Sequence, residues 1–258
     1  MTKKSIIAFL QRCVDYSDSS IKRKIIRGDS TELIGKWEVY RDYTRHAIGE
    51  IKLGKLNDWF AREEKSPSRK INMDSLDHSE KAKWLSAILS PRPLALVSTN
   101  SARGEANLAP ITSITVVSNS PPLIIMSLSQ NREGYSRDTY QNIIATEKCQ
   151  LQFLNPTLEA AIDADICGTP TGQSEWELIG KQGPIHPLAV AVLSCTLLED
   201  NALPDGAVAR LLTLKVDDIF VPSDSTPDQT FSVLCQHGLD LITPSPDDWT
   251  HIAIHHRS

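Results

Sequence analysis

The chain has 258 residues, of which 40% are hydrophobic and 23% charged, with a formal net charge of −5. That apolar content excludes a predominantly disordered chain, and only 12 glycines and 15 prolines exclude collagen-like and low-complexity sequence. No apolar run approaches the roughly 18 residues needed to cross a bilayer, and the acidic total argues against a nucleic-acid binder.

The charge is unevenly divided. Residues 1–70 carry +6 and residues 71–258 carry −11, which suggests two parts with different surroundings. The apolar run Ile6–Leu10 is too short for an export signal and ends at Gln11-Arg12. Cysteines stand at 13, 149, 167, 195 and 235, an odd number with no Cys-x-x-Cys. A disulfide framework and a structural zinc site are therefore not expected, and a reducing cytoplasm is.

Residues 5–60 read as helical, with Trp37, Tyr40, Tyr43, Ala47 and Ile51 at three- and four-residue steps on one face. Gly54 breaks the pattern, and Leu56, Trp59 and Phe60 form a small apolar cluster. Residues 61–72 have the composition of a solvated linker. A short helix follows, with Ser79 as its expected N-cap and Trp84, Leu85 and Ile88 along one side. It must end before Pro91.

From there the texture is β. Strands are predicted at Leu94–Thr99, Ile111–Val117, Leu123–Leu128, Cys149–Leu154, Ala189–Leu198, Ala207–Val216 and Trp249–His255. Helices are predicted at about 139–147, capped by Asp138 with Ile143 and Ile144 inward, and at Leu158–Asp165. Short strands separated by turns point to a barrel rather than a βαβ sheet.

Familiar catalytic constellations are missing from the sequence. There is no Gly-x-Ser-x-Gly, His-Glu-x-x-His or Gly-x-x-x-x-Gly-Lys. Gly168–Gly172 lacks the lysine of a phosphate loop and reads as a plain turn. His251, His255 and His256 have no nearby carboxylate or cysteine to complete a metal site. Asp217-Asp218 and Glu63-Glu64 read as solvated surface. The informative stretch is 90–155. Its strand ends and turns are rich in hydroxyls, and Arg137 stands at a predicted helix N-terminus. Backbone N–H groups, hydroxyls and a guanidinium together suit an anion such as phosphate.

The order of pieces in this stretch is specific. Arg92-Pro93, Ser98-Thr99, Gly104, Asn107-Leu108-Ala109-Pro110, Thr112, Pro121-Pro122, Arg137-Asp138-Thr139 and Asn142 closely resemble the flavin reductase-like family of FMN-binding split barrels. Ser174-Glu175-Trp176-Glu177 resembles a later acidic–aromatic element of that family, more weakly. The resemblance covers about residues 80–220. It departs from the family at Ile111, where an aromatic residue often follows the Ala-Pro, and residues 1–75 lie outside it.

The resemblance implies an α+β fold, mainly β with helices. It is a split barrel at 73–258, preceded by a helical extension and linker at 1–72. It implies FMN, or FAD, as cofactor and NAD(P)H as reductant. Ser98 and Thr99 would face the ribityl chain or phosphate, and Asn107, Leu108, Ala109, Pro110, Thr112 and Ser113 the isoalloxazine edge. Ser127 and Ser129 would lie near the phosphate arm, and Arg137 and Thr139 would bind the phosphate. Asp138 would cap the helix, Asn142 brace the loop, and Arg92 lie near the phosphate or the opposite subunit. A homodimer is expected, with hydride passing from nicotinamide to flavin N5 and no dedicated acid–base residue. Reduced flavin would serve in place or pass to a partner monooxygenase. A flavin-binding electron carrier or sensor, with the helical extension as partner surface, is the alternative. A third reading is a barrel that has lost flavin and works on another ligand.

Overall fold

The structure is a computed structural model and describes residues 3–56, 67–130, 134–169, 172–204, 206–227 and 230–246. The described residues up to Ile71 belong to one compact unit, and Asn72–Ser245 form a second.

The first unit is a helical hairpin of α1 (Lys3–Arg27) and α2 (Thr31–Lys52). The expected continuous helix is interrupted at 28–30, where Gly28 adopts φ +73° and Ser30 accepts a hydrogen bond from Leu33 N–H at 3.3 Å. Val14, Ile21, Ile48 and Ile51 are buried. The buried stripe of α2 is Thr44, Ile48 and Ile51, so Tyr40 and Tyr43 of the expected face are exposed instead. Asp18 joins the helices by an ion pair to Arg45 at 2.6 Å. Trp59 and Phe60 lie outside the described residues, as does the strand expected at Trp249–His255.

The second unit opens with α3 (His78–Ile88). Its N-cap is Asp77 rather than Ser79, because Asp77 and Glu80 form a reciprocal capping box. Trp84, Leu85 and Ile88 are exposed, and Ser86 is the buried residue of this helix.

Two sheets follow. The short β1 (Arg92–Pro93) belongs to the smaller, beside β9 (Leu234–His237) and β10 (Leu241–Pro244) in the order β1-β9-β10. The larger contains β2 (Ala95–Asn100), β3 (Ala106–Ile111), β4 (Ile114–Asn119), β5 (Pro122–Leu128), β6 (Lys148–Leu154), β7 (Ala189–Ala202) and β8 (Arg210–Phe220). Its order is β3-β2-β6-β7-β8-β5-β4, antiparallel at every junction. Pro110 stands on β3, an edge strand, where a missing N–H is tolerated.

This order forces the sheet to curl. β3 and β4 are its two margins, six strand spacings apart, or about 29 Å if the sheet were flat. Yet β3 ends at Ile111 and β4 begins at Ile114. Three residues of chain reach at most ~11 Å, so the margins must come together, and they do so without pairing. The result is a split barrel. Its interior is filled by Ala95, Val97, Met126, Leu151, Leu212 and Leu214, with Ile143 of α4 (Asp138–Thr146) packed among them. Ile111 faces this core. α5 (Leu158–Cys167) and α6 (Glu175–Leu178) cover the outer side of β2 and β3 through Leu96, Leu108, Leu154, Ala160 and Trp176.

Candidate functional site

The polar residues expected to bind a ligand fall into separate groups on the sheets and α4. Four of them form one buried cluster where β2, β3 and α4 meet. Asn107 Nδ2 donates to Thr99 Oγ1 at 3.2 Å and to Thr139 Oγ1 at 3.0 Å, and Asn142 Nδ2 donates to Thr99 Oγ1 at 3.1 Å. Thr99, Thr139 and Asn142 are buried. Their side chains therefore satisfy one another and fix α4 against the barrel.

α4 begins at Asp138, so Arg137 is the N-cap, and no side chain caps the first turn. Asp138 is its first residue, and Ile144 points outward while Ile143 is fully buried. An uncapped helix start leaves N–H groups directed outward, a natural seat for an anion. A hollow of about 110 Å³ lies there, lined by Ser129, Ser136, Arg137, Tyr140 and Arg210 among others. Arg137 Nε donates to the Ser129 carbonyl at 3.2 Å. Arg210 is held by Asp200, Nε to Oδ1 at 2.8 Å, and Tyr140 donates to the same carboxylate at 2.8 Å. The Arg210 hydrogen bond keeps the Asp200 carboxyl below its usual range. Asp200 therefore balances Arg210, whereas Arg137 has no carboxylate partner among the described residues.

The two-residue link between the margins is also pinned. Ser113 Oγ donates to the Ser127 carbonyl at 2.6 Å, and Ser127 N–H to the Ser113 carbonyl at 3.0 Å. Thr112 Oγ1 donates to Gln236 Oε1 at 2.8 Å, which also accepts from Arg92 Nη2 at 2.7 Å. Arg92 is thus a clamp behind Thr112 on the small sheet, with a further bond to the Gly238 carbonyl at 3.3 Å. The structure does not bring it to the α4 hollow. Leu108 is buried in the core, and its N–H donates to Glu175 Oε2 at 3.2 Å. Pro110 lies on that same outer side, against Gly168, where an added Cβ would come within 3.2 Å of Pro110 Cγ. Ala109 is half-buried on β3. Ser98 faces away from the barrel interior and lines a separate cleft.

A charged group joins α5 to the segment after α6, with Asp163 and His186 buried. Lys181 Nζ bonds Asp163 Oδ2 and, at 2.9 Å, Glu159 Oε1. His186 Nε2 is 3.2 Å from the same Asp163 oxygen but out of line for a hydrogen bond. Its Nδ1 accepts from Leu188 N–H at 3.2 Å, so the nearby Nε2 carries the proton. Burial pushes the imidazole pKa down and keeps the ring neutral. Among the described residues no group of three or more metal-ligating side chains occurs, and no helix is long and apolar enough to cross a membrane.

The Flavin reductase like domain model matches residues 88–237, more than half of the chain. The chain belongs to the flavin reductase-like family. An uncharacterized protein of Halalkalibacterium halodurans, BH2278, is 31% identical over 143 residues, covering 53% of this chain and 68% of its own. The Bacillus subtilis protein YwrF is 31% identical over 121 residues, covering 47% of this chain and 57% of its own. Among solved structures, nitrilotriacetate monooxygenase component B from Bacillus cereus superposes with a TM-score of 0.60 at 19% identity, covering 69% of this chain and 97% of that one. The 2-nitrobenzoate 2-nitroreductase NbaA of Pseudomonas fluorescens gives 0.61 at 18%, covering 74% and 98%. At these identities the likeness is one of fold, and it agrees with the split barrel traced here.

Gln236, Arg210, Tyr140 and Asp200 were not expected from the sequence. Gln236 is 124 positions from the threonine it supports, and no local pattern announces it.

Proposed function

We propose that the protein is an FMN-dependent oxidoreductase of the flavin reductase-like family, with a reduced nicotinamide dinucleotide as electron donor. The observation that carries this reading is the uncapped start of α4, with Arg137 beside it and a phosphate-sized hollow in front. The donor set fits a phosphomonoester: outward N–H groups, the Ser129 and Ser136 hydroxyls, and the Arg137 guanidinium, which has no carboxylate partner among the described residues. FMN, when bound, supplies a ring that accepts a hydride and passes electrons onward.

The chain's own residues bind and orient. Arg137 would neutralise the phosphate, while the Thr99–Asn107–Thr139–Asn142 cluster holds α4 in place to present it. With Thr112 and Ser113 fastened through their side chains, and the Ser113 carbonyl bonded to Ser127 N–H, the Thr112 backbone groups and the Ser113 N–H would meet the ring edge. No buried acid–base pair adjoins this stretch among the described residues, and hydride transfer between two cofactors requires none. We also propose a homodimer, and either use of the reduced flavin in place or its transfer to a partner oxygenase.

The test is an absorbance spectrum of the purified protein, FMN titration, and anaerobic addition of NADH or NADPH. A flavin band that bleaches is the expected result. Failure to bind FMN would refute the reading. A carrier or sensor role is the second reading, favoured by an apolar groove of about 640 Å³ along the helical hairpin, lined by Phe9, Tyr16, Trp37 and Tyr40. Sustained NAD(P)H oxidation by the protein alone would exclude it.

A further inference from the structure

The outer face of the seven-stranded sheet carries a line of polar side chains that the α4 hollow does not use. Ser98 on β2 is paired with Gln150 on β6, Gln150 with Ser194 on β7, and Ser194 with Asp218 on β8. Residues directly opposite in an antiparallel sheet project to one face. Hydroxyl, amide, hydroxyl and carboxylate therefore stand in a row some 14 Å long, at about 4.8 Å per strand. Gln150 Nε2 donates to Ser194 Oγ at 3.4 Å. At the two ends, Ser98 and Asp218 make no side-chain hydrogen bond among the described residues.

An antiparallel sheet often turns a polar face to water. This face is walled as well. The row lines a cleft of about 580 Å³ that is also bounded by Trp176, Gly183 and Pro184, a size typical of small-molecule sites. The wall is anchored from below. Gln152, fully buried, donates to the Pro184 carbonyl at 2.8 Å and accepts from His186 N–H at 2.7 Å.

The charges in the cleft are unequal in their freedom. Asp217, extra to the pairing where β7 and β8 slip register, is held by Thr196, by Lys215 at 3.1 Å and by Lys148 at 3.4 Å. The Thr196 and lysine bonds lower the Asp217 pKa to about 2. Lys148, the cation among the described lining residues, is thus already paired. Among the described residues Asp218 remains as an unpaired carboxylate beside neutral donors and acceptors. At one end the cleft reaches Thr99, whose Oγ1 is part of the cluster that fixes α4.

We infer that this cleft binds the ribose diol of the nicotinamide dinucleotide and that Asp218 selects a free 2′-hydroxyl over a 2′-phosphate. The inference rests on the proposed nicotinamide-dependent reading. A vicinal diol offers two donors, which a carboxylate accepts, and hydroxyl acceptors that Gln150 and the serines can serve. A 2′-phosphate would bring a like charge against Asp218, with no free cation among the described lining residues to receive it. The donor is therefore NADH.

The experiment is calorimetric titration of the full chain with ADP-ribose and with 2′-phospho-ADP-ribose. Neither carries a nicotinamide, so the result does not depend on flavin reduction, and FMN titration of the same samples reports separately on the flavin reading. ADP-ribose is expected to bind about tenfold or more tightly than its 2′-phosphate. Asp218→Asn should bring the two within about threefold, and Gln150→Leu with Ser194→Val should weaken ADP-ribose about tenfold while leaving FMN affinity unchanged. No binding of ADP-ribose by the unsubstituted protein, equal affinities for the two probes, or undiminished discrimination in Asp218→Asn would overturn the inference. So would binding of free ribose as tight as that of ADP-ribose.

Discussion

Removal of the Arg137 guanidinium tests the flavin reading at its most specific point. The side chain is exposed at the mouth of the hollow, and its Nε already serves the Ser129 carbonyl at 3.2 Å. The terminal nitrogens are left for a phosphate. A charged hydrogen bond is worth about 1.5–3 kcal/mol, and solvent exposure puts Arg137 at the lower end. Arg137→Ala should therefore cost about 1.5 kcal/mol, or roughly a tenfold weaker Kd for FMN. The α4 N–H groups remain and set a floor under the loss. Riboflavin, which lacks the phosphate, should change less than about twofold, since it forgoes this charged bond in either protein. Fluorescence titration at about 0.15 M salt, where the Debye length is about 8 Å, is the assay. Arg137→Lys should recover part of the loss, because it keeps the charge without the fork. Equal weakening of FMN and riboflavin would show that Arg137 shapes the fold and not the phosphate seat.

Other consequences are independent of any ligand. In Thr99→Val, Asn107 keeps its bond to Thr139 but Asn142 loses its acceptor. One stranded buried donor costs about 1–3 kcal/mol, readable by urea unfolding, and a change below about 0.5 would contradict the cluster's role. His186 is held neutral by burial, so its folded pKa lies below the unfolded value of about 6.5. Its contribution is complete above that pH and is lost as pH falls through 6.5 toward the folded value. The urea midpoint should drop more steeply from pH 8 to 5 in the unsubstituted protein than in His186→Gln, and parallel slopes would refute this. All five thiols are free, but four are buried, with Cys167 raised to about 12 chiefly by burial. Ellman's reagent should titrate Cys13 first in the native protein and all five after denaturation, and rapid native reaction of more than one would disprove it.

Much of the barrel was legible because its strands are long enough to show alternation. Leu123–Leu128 and Cys149–Leu154 match β5 and β6 nearly to the residue. β9 and β10 were missed because four residues carry too little periodicity, and they exist only by pairing with one another and with β1. Residue type alone points to Ser79 as the cap, whereas the reciprocal bonds of Asp77 and Glu80 decide the start of α3. For the site, the hydroxyl-rich pieces of 90–142 could be picked out, but not their division of labour. Thr99 and Asn107 look like ligand groups in a sequence and also bond each other, and Asn142, expected as a brace, bonds Thr99. The row from Ser98 to Asp218 depends on strand register across four segments, which no single segment encodes.

The meeting of β3 and β4 without a ladder has a mechanical consequence. The two margins form a slit whose lips are continuous through the sheet only by the long way round, across five other strands. Widening that slit breaks no backbone hydrogen bond between its lips, and each lip stays stiff because it is paired along its inner side. The Ser113–Ser127 bonds act as a clasp at one end. A barrel built in this way can breathe in one direction while the rest of its wall stays rigid.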